Sequence, residues 1–265
     1  MSLDHEGQRV SRRTVFAGIG SIGLATLLSA CSDEGASAQV TTSTGSTATI
    51  TPTTATGDLA SLFPGDSACA PTREAAQGPY YFDADKIRSD IREDRQGARL
   101  RMAIKVQDVE SCRPIPNAVV EIWHCDAHGV YSGFEVQSAG TGGVANWNGG
   151  DATPQDDERY LRGAQVTGVN GIVEFTTIYP GWYRRRTVHI HAMVHVSNKR
   201  VLTTQTMFEE ALTTEVYKAA PYSGHTGRDT FNDNDPIFEP SMITKTVEDG
   251  EGYLGVITFA VRATG

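Results

Sequence analysis

Thr187-Val-His189-Ile-His191-Ala-Met193-Val-His195-Val196 alternates apolar and polar side chains and is rich in β-branched residues. That period of two is the mark of a half-buried β-strand. Similar short runs occur at 100–106, 118–123, 172–177 and 255–261. Turn-forming clusters such as Arg113-Pro-Ile-Pro-Asn117 and Thr167-Gly-Val-Asn-Gly171 separate them. The pattern predicts a mainly β protein: an antiparallel β-sandwich core with long loops and little helix. The best helical candidate is the short run 208–218. The glycine-rich run 138–150 and the polar run 151–159 read as one long loop, and loops of that length commonly shape a site.

On a strand, His189 and His191 leave the same face. Two adjacent neutral imidazoles can chelate a first-row transition metal. Tyr183 adds a hard anionic oxygen, which favours a hard, high-valent ion such as ferric iron over zinc. An H-x-H pair is equally an ordinary half-buried strand pair, and by composition Arg186 is one of three solvated arginines, Arg184 to Arg186. Tyr131 follows a strand and a Gly-containing turn, a setting where rigid scaffolds carry functional side chains, although core packing serves as well. His195, on the same strand face as His191, is read as packing in preference to a supporting role behind the ligands; His225, in a polar loop, is expected to be exposed.

The N-terminal residues read as an address. Ser11-Arg12-Arg13-Thr14-Val15-Phe16 is a twin-arginine start, and a short glycine-interrupted apolar run follows it. Leu28-Ser29-Ala30-Cys31 resembles a bacterial lipobox with Cys31 as the lipidated residue; a plain export signal is the alternative. Residues 1–31 are thus expected to be an export signal, residues 32–58 a disordered Ser/Thr-rich tether, and residues 59–265 one folded domain. The expected location is the outer face of a bacterial cell or the periplasmic side of its membrane, held there only through a lipid anchor. Cleavage before Cys31 removes Arg9, Arg12 and Arg13 with Asp4 and Glu6, taking the formal charge from −9 to −10. An acidic chain without a basic stripe argues against nucleic acid as a partner. Cys112 and Cys125 flank the strand 118–123 at about 3.3 Å per residue, too far apart to bridge each other. A disulfide therefore uses Cys69, with Cys125 ahead of Cys112 as its partner.

Four pieces in order resemble the intradiol ring-cleaving dioxygenases: Gln77-Gly-Pro-Tyr80-Tyr81, Gly129-Val-Tyr131, Pro180-Gly-Trp-Tyr183 leading into Arg186-Thr-Val-His189-Ile-His191, and Leu202-Thr-Thr-Gln205. The resemblance implies one Fe(III) per chain held by Tyr131, Tyr183, His189 and His191. It also implies cleavage of a catechol-type aromatic diol by O2 to a cis,cis-muconate. Tyr183 would be the displaced ligand and proton acceptor, Arg186 the stabilising cation, and Gln205 a polar group beside the ring. Gly78, Pro79 and Tyr80 would line the substrate pocket. The helical N-terminal segment that cytoplasmic members use to dimerise has no counterpart here, which leaves a homodimer open. The competing reading is a non-catalytic cell-surface sandwich module that binds aromatics, catecholate–iron or carbohydrate.

Overall fold

The structure, a computed structural model, describes residues 38–41, 47–50, 59–63, 69–84, 86–139, 148–197 and 199–262. The expected export signal, with Cys31, lies outside the described residues. Within the expected tether, β1 (Ala38–Thr41) and β2 (Thr47–Ile50) form a small antiparallel ladder.

The body of the domain is two four-stranded sheets. One runs β6 (Ile172–Ile178), β3 (Arg99–Asp108), β10 (Gly252–Val261), β9 (Lys245–Asp249). The other runs β5 (Arg162–Val166), β4 (Val119–Trp123), β7 (His189–Val196), β8 (Lys199–Met207). The mainly β sandwich is therefore as expected, with one departure: β10 pairs with β3 in parallel, while every other strand pairing is antiparallel. Among the described residues, helix is confined to α1 (Glu135–Ser138), α2 (Glu210–Val216, inside the expected run) and short 3-10 turns.

Alternation divides the second sheet into two faces. Val120 and Ile122 of β4 and Ile190, Ala192 and Val194 of β7 pack against Leu100, Met102, Ile104 and Phe259 of the first sheet. The opposite face is set by register: Arg162 stands across from Trp123, Trp123 from His191, and His191 from Gln205. Tyr80, Tyr81, Phe82, Cys125, Tyr131 and Phe134 cluster over this row with Trp123 and Met193. This second, smaller apolar cluster is where the candidate site lies.

The disulfide joins Cys69 to Cys112, with Cα atoms 5.6 Å apart, and corrects the expected preference for Cys125. Thr72 N–H donates to Ala260 O and Val109 N–H to Val261 O, both at 3.0 Å, which brings the Cys69 segment to the end of the sheet that holds the β3–β4 turn. Cys125 sits at the other end of β4, free and buried beneath the aromatic cluster.

Candidate metal centre

Two turns deliver the tyrosines. Gly129 has φ +82°, and a Cβ there would stand 2.2 Å from the Trp182 carbonyl oxygen. Only glycine lets the turn before Tyr131 nest against the turn before Tyr183. The two phenol rings consequently lie 5.7 Å apart. Arg186 N–H returns to Tyr183 O at 3.4 Å, a tight turn that folds the Tyr183 side chain back over β7. Its Oη comes within 3.0 Å of His189 Nε2.

The imidazoles of His189 and His191 are 2% and 3% exposed, with their Nε2 atoms 3.1 Å apart. His189 Nδ1–H donates to the Thr187 carbonyl at 2.6 Å, so in the neutral ring the Nε2 carries the lone pair. The His191 ring stacks on Trp123 at 4.9 Å and 7°. Gly78, at φ +75°, rides directly over it. Tyr80 stacks on Tyr131 at 4.8 Å, and half-buried Pro79 carries the chain between Gly78 and Tyr80.

Burial, reinforced by neighbouring positive charge, holds both histidines well below the ordinary imidazole range. Burial also pushes the phenol of Tyr183 up to about 12, against the opposing pull of Arg186, and holds Tyr131 well above the ordinary phenol range. Without a cation all four groups are therefore neutral at neutral pH. The buried Oη of Tyr131 and Nδ1 of His191 have no hydrogen-bond partner. Two Nε2 atoms at 3.1 Å also share at most one proton. Such under-satisfied buried groups are costly unless something binds them. A hard cation would take the two Nε2 lone pairs and ionise the phenols, as bound cations do. No group of three or more His, Cys, Asp or Glu converges among the described residues, so a metal held here has to draw on the tyrosine oxygens.

Arg186 is not the solvated member of its run. Its Nε–H donates to Asp235 Oδ2 at 2.9 Å and its Nη2 to Gln205 Oε1, while Gln205 Nε2 donates to Ala76 O at 3.1 Å. Asp235 and Trp123 belong to this arrangement and no motif pointed to either; Asp235 stands in an Asn/Asp-rich loop that reads as solvated. Arg162 is a third such residue, buried with its guanidinium 4.2 Å over Phe82 and 5.9 Å over Tyr131. His124 is packed between Cys125 O and Thr177 Oγ1. His225 corrects the expectation of exposure: it is half-buried, stacked on Trp182 at 4.2 Å with Nε2 at 3.0 Å from the Trp182 carbonyl.

A dioxygenase family model matches residues 76–222, a span that contains all four candidate ligands with Arg186 and Gln205. The intradiol ring-cleavage dioxygenase of Tetranychus urticae is 32% identical, with a TM-score of 0.69 over 74% of this chain and 97% of that one. This chain belongs to the intradiol ring-cleavage dioxygenase family. Among curated members, the chlorocatechol 1,2-dioxygenase of Rhodococcus opacus is 28% identical over 52% of this chain and 56% of its own length. Catechol 1,2-dioxygenase 1 of Acinetobacter lwoffii is 28% identical over 51% of this chain and 45% of its own. The chain thus spans about half the length of the curated intradiol dioxygenases it matches.

Proposed function

We propose that this chain binds one Fe(III) through Tyr131, Tyr183, His189 and His191 and cleaves a catechol-type diol between its hydroxyls with O2, giving a cis,cis-muconate. The observation that carries the reading is the convergence of one buried phenol, one half-buried phenol and two buried imidazoles beside an arginine held at Nε and Nη2. Family members use ferric iron, and two oxygens with two neutral nitrogens suit that ion. When bound, iron(III) supplies a Lewis acid that favours the catecholate form of the substrate and its reaction with O2.

The protein's own groups account for the rest. Tyr183 is the less buried of the two phenols and the better placed to release the metal and accept a substrate hydroxyl proton at Oη. Arg186, permanently charged, faces the same space and favours negative charge developing on the ring as one oxygen becomes a carbonyl. Gln205 and the Gly78–Tyr80 loop confine the ring, and the aromatic cluster around Tyr131 limits water. The twin-arginine start and Cys31 support action outside the cytoplasm on extracellular catechols.

Colour and oxygen uptake test the reading. Iron-loaded protein should be burgundy from tyrosinate-to-iron(III) charge transfer, and should consume one O2 per catechol. A colourless iron-loaded protein overturns the ligand set. A coloured protein that consumes no O2 with any catechol is instead a binding module.

A further inference from the structure

Asp235 is a fully buried carboxylate, its side chain 0% exposed, and one of its oxygens accepts from both Arg186 and the Thr187 backbone. Oδ2 accepts from Arg186 Nε at 2.9 Å and from Thr187 N–H at 2.8 Å, while Oδ1 accepts from Ile237 N–H at 2.8 Å. The Thr187 backbone is thereby held at its N–H, and its carbonyl, in the next peptide unit, takes the Nδ1–H of His189. The surrounding loop repeats the grip: Asp229 Oδ1 accepts from Arg185 N–H at 3.1 Å, and Asn232 Oδ1 accepts from Thr187 Oγ1 at 2.7 Å. Arg228 ties this loop back to α2 through Glu210. A guanidinium is planar, and here Asp235 holds Nε while Gln205 holds Nη2. No described residue accepts from Nη1, which is left for a ligand.

We propose that Asp235 is the positioning residue that aims Arg186 at the bound diol. The proposal rests on the reading of Arg186 as the cation that faces substrate. Asp235 lies outside the residues matched by the family model.

The test compares Asp235→Asn and Asp235→Glu with the wild type in the iron-loaded full chain. Asparagine offers one acceptor oxygen to three N–H donors, and glutamate keeps the charge but displaces it by one methylene. Misplacement on that scale lowers kcat by about 100-fold, with KM changed far less and iron content and the visible band retained. In an Arg186→Lys background the further loss on Asp235→Glu shrinks to about twofold, because residues acting as one unit are not additive. Wild-type kcat in Asp235→Glu overturns the proposal, as do equal losses in both backgrounds. If Asp235→Asn fails to fold, Asp235→Glu decides alone. If the wild-type protein turns over no catechol, the reading of the reaction fails, and a crystal structure of Asp235→Glu judges the positioning claim separately. Arg186 displaced from Gln205 supports it; an unmoved guanidinium overturns it.

Discussion

Gly78 lies against His191 so closely that a Cβ at position 78 would stand 3.2 Å from the imidazole Cε1. The backbone there is also left-handed, at φ +75°. Gly78→Ala should cost about 1–2 kcal/mol in backbone strain alone. It should also push the ring by a few tenths of an ångström. The expected outcome is a Tm several degrees lower together with reduced iron occupancy, read by calorimetry and metal analysis. Unchanged occupancy would mean that the loop yields rather than the histidine.

Tyr183→Phe removes an oxygen but keeps the ring. Changes one bond away from a metal cost 10–100-fold in affinity, so loss of a ligand should cost more than about 100-fold. The same variant should lose much of the visible absorption. Equilibrium dialysis against an iron chelator checks the first outcome and a spectrum the second.

His124 supplies a pH dependence separate from the metal. Its Nδ1–H donates to Cys125 O and its Nε2 accepts from Thr177 Oγ1, so the neutral ring is satisfied and a second proton would break the Thr177 bond. Burial depresses its pKa from 6.5 to about 4. The unfolded chain therefore binds the proton first, and the stabilisation present above about pH 6.5 drains away as pH falls toward 4. The slope for one such group is about 1.4 kcal/mol per pH unit. His124→Gln should flatten urea-unfolding stability across that window by one proton's worth.

The Cys69–Cys112 bridge closes a sequence separation of 43 residues. Replacing both by serine should destabilise the fold by about 2–4 kcal/mol, mainly through the freer unfolded chain. Burial raises the Cys125 thiol, which should resist alkylation in the native protein and react only after unfolding. Peptide mass mapping with iodoacetamide reads both states.

Sequence reasoning reaches strands whose two faces differ and stops at strands whose faces do not. β3, β4, β6, β7 and β10 announce themselves because apolar residues alternate against polar ones. β5 hides because Arg162-Gly-Ala-Gln-Val is buried on both faces and carries an arginine and a glycine. β8 hides because threonine fills positions on both faces, and β9 because it is an exposed edge strand with Val247 its one large apolar residue. The same limit governs the site. Tyr131, Tyr183, His189 and His191 lie in motifs with fixed spacing. Asp235 lies 48 residues from Thr187, a partner no local pattern encodes. The disulfide partner was likewise a matter of which end of the sandwich the Cys69 segment reaches, information held in long-range pairing.

The parallel pairing of β3 with β10 also orders the events of assembly. β3 is the first strand of the sandwich along the chain and β10 the last, and they align from Gly252 against Arg99 to Val261 against Asp108. A growing chain that has not yet released its final strand holds β3 paired on one side only, through β6. Until then the floor beneath the histidine sheet is short of a strand, without the side-by-side packing that Ile257 and Phe259 later give Ile104 and Val106. An unpaired edge of this kind invites pairing with another chain. Nascent chains stalled short of residue 252 should therefore be prone to association, and truncation at the C-terminal strand should be far more damaging than its distance from the four donors suggests.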